Sequence, residues 1–273
     1  MATIRLMPGP LPTMTIVTPS FNQARFLERT IQSVLDQGYP NLEYIVLDGG
    51  STDGSVEIIR RYADRLAYWT SGPDGGQSAA INAGFRRASG EVVAWQNSDD
   101  AYLPGALQAA GEAFRDHPDA VLVYGRMQRV DPDGRDLGTM GSDYRPRTLL
   151  YSHQVIPMPS TFFRRSAVEK VGMIDESLHY SMDLDLILRL TRLAEPVMLP
   201  QTLALATIHA DAKTTRDQEV AAGETHRVRM RYAHGLGALF VRAQPGMSWA
   251  FHHLPAWLRG ALNRVRPRRV FDT

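Results

Sequence analysis

The sequence predicts an α/β protein whose mostly parallel sheet is flanked by helices, with a helical appendage at the C-terminal end. Three observations carry that prediction. Through the first two-thirds of the 273 residues, short β-branched runs alternate with amphipathic runs of helical spacing, the pattern of a parallel sheet covered on both faces. Polar clusters at residues 20–22, 48–53, 73–77 and 97–100 each follow a strand run, and open α/β sheets bind ligands beyond the carboxyl ends of their strands. Beyond about Thr215 only helical and loop signals remain.

"MTIVTP" from Met14 is β-branched and closed by Pro, so it reads as a strand. "ARFLERTIQSVLDQG" places Phe26, Leu27, Ile31, Val34 and Leu35 on one helical face and offers Gly38 as a stop. The strand "LEYIVLD", the helix "SVEIIRRYADRL", the strand "AYWTS", the helix "GQSAAINAGFRRASG" and the strand "EVVAWQ" follow. Pro104 suits the first position of the next helix, and "AVLVYG" is a further strand. After Gly125 the pattern loosens. "DPDG" is a turn between two strands, "PSTFFRR" a strand, "SAVEKVG" a short helix, "DLDLILRLTRLA" a helix and "ALATIH" a strand. These pieces read as an addition built onto the parallel core.

Composition excludes several classes. The apolar fraction of 44% and charged fraction of 22% are those of an ordinary globular chain. No stretch reaches the roughly 18 uninterrupted apolar residues of a membrane span. "MATIRLMPGPLPT" is broken by Pro8, Pro10 and Pro12 and lacks the apolar centre of a signal peptide. With no cysteine, disulfides and thiolate metal sites are excluded, and the expected location is cytoplasmic. Residues 216–273 hold ten Arg against four acidic residues, roughly +6, so the rest carries roughly −5 of the net +1. An acidic body argues against nucleic acid as a partner. The tail interleaves Arg with Trp249, Phe251, Trp257 and Leu258, which fits either peripheral contact with an inner membrane face or a homodimer contact.

One short stretch, "AWQNSDDAYL", sets two carboxylates side by side at a strand end. Each raises the pKa of the other unless a cation or donors compensate, while the plain alternative is a solvated turn. Together, "VTPSFN", "LDGGSTDGS", "PDGGQSAAINAG", "NSDD", "SMDLDLILRL" and "IHADAKT" resemble, in order, the motifs of glycosyltransferase family 2. The resemblance runs from about Thr13 to Thr214. It implies the GT-A nucleotide-sugar fold over residues 13–215, with 216–273 as a basic helical tail.

What the resemblance implies for single residues follows from the chemistry of the donor. Departure of a nucleoside diphosphate develops negative charge, and a divalent cation, Mn²⁺ or Mg²⁺, stabilises it through hard oxygen ligands. Asn97, Ser98 and Asp99 occupy the family's Asp-any-Asp position. Asp99 is the implied metal ligand, with Asp100 beside it or through water, and His209 completes the site. Asn97 stands where an acid is commoner and brings no charge. Pro19, Ser20 and Phe21 fall at the nucleotide, Phe21 against the base. Asp48 matches the first acid of the family's "DDGS", near base or ribose, whereas the second, often base-reading, acid is Gly49 here. Asp74, Gln77 and Asn82 are donor contacts by the same resemblance, Asn82 having the rival role of satisfying a buried loop. Asp53 reads as a helix cap. Asp183 aligns with the base that takes the acceptor's proton in an inverting transfer, with Met182 in place of the usual Glu.

The expected function is therefore transfer of a sugar from a nucleotide diphosphate sugar to a hydroxyl. The acceptor is a glycan, a lipid-linked molecule or a small molecule, in polysaccharide, glycolipid or other glycan assembly. "YSHQVIPMPSTFF" is expected on the acceptor side. A nucleotidyltransferase needs a Gly-rich basic loop after strand one, and a nicotinamide dehydrogenase needs Gly-x-Gly-x-x-Gly there; "PSFNQARF" is neither. A non-catalytic sugar-nucleotide binder of the same fold needs no base, which Asp183 supplies.

Overall fold

The computed structural model of the chain describes residues 9–151, 155–234 and 241. Its first half alternates as the sequence predicts: β1 (Met14–Ser20), α1 (Ala24–Leu35), β2 (Leu42–Asp48), α2 (Ser55–Arg61), β3 (Tyr68–Ser71), α3 (Gln77–Arg87) and β4 (Val92–Trp95). The predicted helix over 55–66 is split, because α2 ends at Arg61 and a 3₁₀ turn covers Ala63–Arg65. β3, β2, β1 and β4 pair in parallel. The register sets Ser20 opposite Asp48 and Asp48 opposite Ser71, so three strand tips finish level. The amide of Gln96 still bonds Val17 O at 2.9 Å, which carries residues 97–100 to the same edge.

Alternation along the strands builds a core on each face. Val17, Ile45, Val93 and Trp95 pack with Ile81 and Phe85 of α3. Ile16, Val46, Val92 and Ala94 pack with Leu27, Ile31 and Val34 of α1. At Gly84 the helix backbone approaches the sheet so closely that a Cβ would sit 2.5 Å from Val17 Cγ1.

The second half is β5 (Ala101–Tyr102), α4 (Ala106–Asp116), β6 (Leu122–Val130), β7 (Asp136–Met140), α5 (Pro146–Tyr151), β8 (Thr161–Arg164), α6 (Arg165–Lys170), α7 (Met182–Leu190), β9 (Val197–Thr207), α8 (Lys213–Arg216) and α9 (Gln218–Tyr232). The sheet runs β3-β2-β1-β4-β8-β6-β9-β5, with β7 on β6. Only the β6–β9 pair is parallel here, while β4–β8, β6–β8, β6–β7 and β5–β9 are antiparallel. α4 opens at Ala106 and not at Pro104, because Gly105, with φ of 81°, turns the chain first. β9 begins seven residues before "ALATIH" and contains Pro200, tolerated where the register against β6 is broken. α9 packs on the body, with Glu224 and Val228 buried. The aromatic and basic residues of 242–273 lie outside the described residues, as do 152–154 of the expected acceptor stretch. Among the described residues no helix is long and apolar enough to cross a membrane.

Candidate active site

The level tips of β1, β2 and β3 carry the first group of predicted residues. Pro19 is buried in β1. Ser20 is buried, and its Oγ has no partner among the described residues. Phe21, next in line, is 61% exposed, an aromatic face turned to solvent with no core to explain it. Asp48 is different: its carboxylate accepts from the amides of Gly50 and Ser51 at 3.1 and 2.9 Å and from the hydroxyls of Ser51 and Ser71. It is 1% exposed. Its oxygens hold the 49–51 loop to β3, at the strand tips where contact with base or ribose is expected. Asp53 accepts from Ser55 N at the start of α2 and from Ala24 N at the start of α1, so it secures both helix openings, as its capping role predicts.

Gly49 leaves a gap that a neighbour fills. A Cβ there would lie 3.2 Å from Asp74 Oδ2 and 3.3 Å from Phe21 Cδ2. The corner where the family resemblance implies a second acid therefore still contains a carboxylate, delivered from the β3–α3 loop. Asp74 holds its own turn by accepting from Gly76 N at 2.8 Å.

The two acids of the pair have different surroundings and different partners. Asp100 turns inward and is 5% exposed, accepting from Thr207 N at 3.3 Å and Asn97 Nδ2 at 3.2 Å. Burial, then the Asp99 charge, pushes the Asp100 carboxyl well above the usual range, against the pull of Asn97, Thr207 and Arg29. Asp99 stays at the surface of the site, its Oδ2 3.2 Å from His209 Nε2. The His209 ring lies 4.8 Å from that of Phe26, which fixes its plane. Asp99 and His209 thus meet at the site, with Asp100 buried beside Asp99. Asn97 also accepts from Gln77 Nε2 at 2.9 Å, tying α3 to the motif. Ser98 is buried, and its carbonyl accepts from Thr30 Oγ1 at 3.0 Å.

Two residues of α1 were not foreseen. Arg29 donates to the Asp99 carbonyl at 2.9 Å and to the Thr207 hydroxyl, and Thr30 donates to the Asp100 carbonyl at 2.6 Å. Their signal was spacing, since both fall three or four residues after Phe26 on the inward stripe. Together they lock the 98–100 turn to α1 and to the end of β9.

Asp183 lies in the first turn of α7. Adjacent residues of α3 tie the segment just before Asp183 to the acidic motif: Gln77 bonds Asn97, and Ser78 Oγ donates to Leu178 O and Met182 Sδ, both at 2.8 Å. Asp185 faces away and is buried, bound by Arg189 at 2.8 Å and Tyr232 OH at 2.6 Å. Asn82 takes its rival role, satisfying a buried loop. Its amide donates to Ile174 O and Glu176 Oε1 and accepts from Ile174 N, so every polar atom is used inside the protein. Asn82→Ala strands the Ile174 backbone groups in a buried place and is expected to cost about 1–3 kcal/mol of stability. Chemical denaturation checks that loss, and calorimetry should show nucleotide affinity unchanged.

Among the described residues no group of three or more His, Asp or Glu surrounds one point as a closed metal site. Asp99 and His209 are the residues that would hold a divalent cation, and an imidazole in the donor set would suit Mn²⁺ better than Mg²⁺.

The family description "Glycosyl transferase family 2" matches residues 15–172. An uncharacterized glycosyltransferase of Mycobacterium tuberculosis is 35% identical over 191 residues, covering 69% of this chain and 72% of that one. A second, from Rickettsia typhi, is 29% identical over 218 residues, 75% of this chain and 66% of its own. Among solved structures, S. aureus TarS 1–349 with UDP-GlcNAc superposes with a TM-score of 0.65 at 19% identity, over 85% of this chain and 71% of that one. The mannosyltransferase PcManGT of Pyrobaculum calidifontis, with GDP-Man and Mn²⁺, gives 0.63 at 18% identity, over 95% and 82%. Against a longer TarS chain, the match spans 39% of that chain.

Proposed function

The chain belongs to glycosyltransferase family 2, and from that premise we propose that it transfers a sugar, with inversion, from a nucleotide diphosphate sugar to an acceptor hydroxyl. The observation that carries this reading is the meeting of Asp99 and His209, 110 residues apart, at the carboxyl edge of the parallel strands. A cation held there, when bound, neutralises charge on the departing diphosphate. Arg29 and Thr30 keep Asp99 from swinging inward as Asp100 does. Asp183 takes the acceptor's proton as the acceptor oxygen bonds to the anomeric carbon. The bond from that carbon to the diphosphate breaks, and its electron pair leaves with the nucleoside diphosphate.

The base lies on Phe21, with Asp74 at its edge and the unpartnered Ser20 hydroxyl beneath. A carboxylate only accepts hydrogen bonds at neutral pH, so Asp74 requires a donor at the base edge; every base offers one, and we take it to be the ring N–H of uracil or guanine. The nucleotides named for TarS and PcManGT, UDP-GlcNAc and GDP-Man, agree with that class. The proposed acceptor side is the segment around 155–163. We retain as proposals the division at 215/216 and the membrane or dimer role of the tail.

Thermal shift with UDP, GDP, CDP and ADP in Mn²⁺ tests this. Ligand at 100 times its Kd stabilises the fold by about 2.7 kcal/mol, so UDP or GDP should raise the melting temperature by several degrees and the other two should not. Asp74→Ala should abolish that preference. Equal shifts for all four nucleotides would remove Asp74 as the base reader.

A further inference from the structure

We infer that Glu224, from the helix α9 that lies beyond the family match, is the positioning residue for Asp183. This rests on the reading of Asp183 as the base. Three successive backbone amides, His179, Tyr180 and Ser181, point at one carboxylate: Glu224 Oε1 accepts from them at 3.0, 2.6 and 2.8 Å, and Oε2 accepts from His179 again at 3.1 Å. Glu224 is 3% exposed. α7 begins at Met182, and Ser181 makes no side-chain cap bond to it. Ser181 is the N-cap of α7; its amide and the two before it need acceptors, and a negative charge at a helix opening is favourable. Glu224 supplies both from another helix. Burial raises its carboxyl and the three amides outweigh that, holding it below the usual glutamate range.

The same strand of chain closes the loop from other sides. Ser181 Oγ bonds Thr225 Oγ1 at 2.7 Å, Tyr180 OH bonds Asp217 at 2.9 Å, and Lys213 Nζ stands 5.1 Å over the Tyr180 ring. Residues 179–181 lead directly into Asp183, so the carboxylate of the base is aimed by a loop that α9 holds. Asp185, two residues on, is tied to Tyr232 of α9 at 2.6 Å. The segment that follows β9 thus contributes His209 at one end and the clamp on the base at the other.

Glutamine keeps Oε1 and loses charge and one bond, whereas alanine loses all four. Turnover is read as nucleoside diphosphate release from UDP-GlcNAc and GDP-mannose with Mn²⁺, water serving as acceptor. All 273 residues are kept in every variant, and nucleotide Kd is measured in parallel. Glu224→Ala should lower turnover about 10–100-fold, in the range seen when a supporting partner of a reactive group is lost, with Kd unchanged. Glu224→Gln should recover most of it. In a double-mutant cycle, Glu224→Ala added to Asp183→Asn should cost nothing further, because a residue acting only through Asp183 has nothing left to aim. A further fall in the double variant, or full turnover in Glu224→Ala while Asp183→Asn is impaired, overturns the inference. Unimpaired Asp183→Asn overturns the base assignment instead. Hydrogen exchange is the substrate-free check: the amides of 179–184 should exchange at least tenfold faster in Glu224→Ala, or in Glu224→Gln to a lesser degree if the alanine variant does not fold. Unchanged protection there also overturns the inference.

Discussion

Asp183→Asn is expected to lower turnover by about 10²–10⁴-fold, the usual contribution of a general base, and to leave the affinity for nucleotide unchanged. The side chain opens α7 beside Met182, which Ser78 holds against α3. Asparagine keeps that shape and cannot take a proton. The base meets the acceptor and not the diphosphate, so the loss belongs in kcat, the pattern of an interaction made only in the transition state. Asp185→Asn is the informative contrast. Its carboxylate is spent on Arg189 and Tyr232, so its removal should lower the melting temperature while turnover falls far less. Initial rates and calorimetric Kd values on the two variants decide between these patterns. Loss of donor binding in Asp183→Asn would make that residue structural.

The parallel half of the fold was legible because each strand is a short apolar run ended by a polar cluster, and because buried parallel strands leave no alternation to misread. β5 was not legible. Two residues, Ala101 and Tyr102, form a strand only because β9 lies opposite them, and nothing local announces that pairing. β9 itself was read short, since Pro200 and the broken register obscure its first half.

At the site, the residues whose role is local geometry were the ones read differently. Asn82 satisfies groups 92 and 94 residues away that only the tertiary fold brings near, whereas Asp48 bonds the local amides of Gly50 and Ser51 and one distant hydroxyl, that of Ser71. Asp100 shows the same limit: sequence places two acids together, but burial beside Thr207 decides which of them faces out. Glu224 gave no signal at all, because its partners are backbone amides 43 to 45 residues earlier.

Asp99→Ala carries the second large effect. Loss of a supporting partner of a metal ligand costs about 10–100-fold in affinity, and loss of a direct ligand from a pair should exceed that. The fold should survive, because Asp99 contributes its carbonyl, and not its carboxylate, to Arg29 and Thr207. The Mn²⁺-linked part of nucleotide binding should therefore vanish while the melting temperature of the free protein stays close to that of the native chain. His209→Ala should move in the same direction and less far, since the carboxylate remains.

Calorimetric titration of UDP and of GDP into the native chain and into Asp99→Ala, each in Mn²⁺ and in EDTA, tests the metal-bridged donor site most directly. One nucleotide should bind the native chain at least about 100-fold more tightly in Mn²⁺, a difference of about 2.7 kcal/mol, and Asp99→Ala should bind it equally weakly in both. Equal affinity in Mn²⁺ and EDTA for the native chain, or a Mn²⁺ dependence that survives in Asp99→Ala, would contradict this.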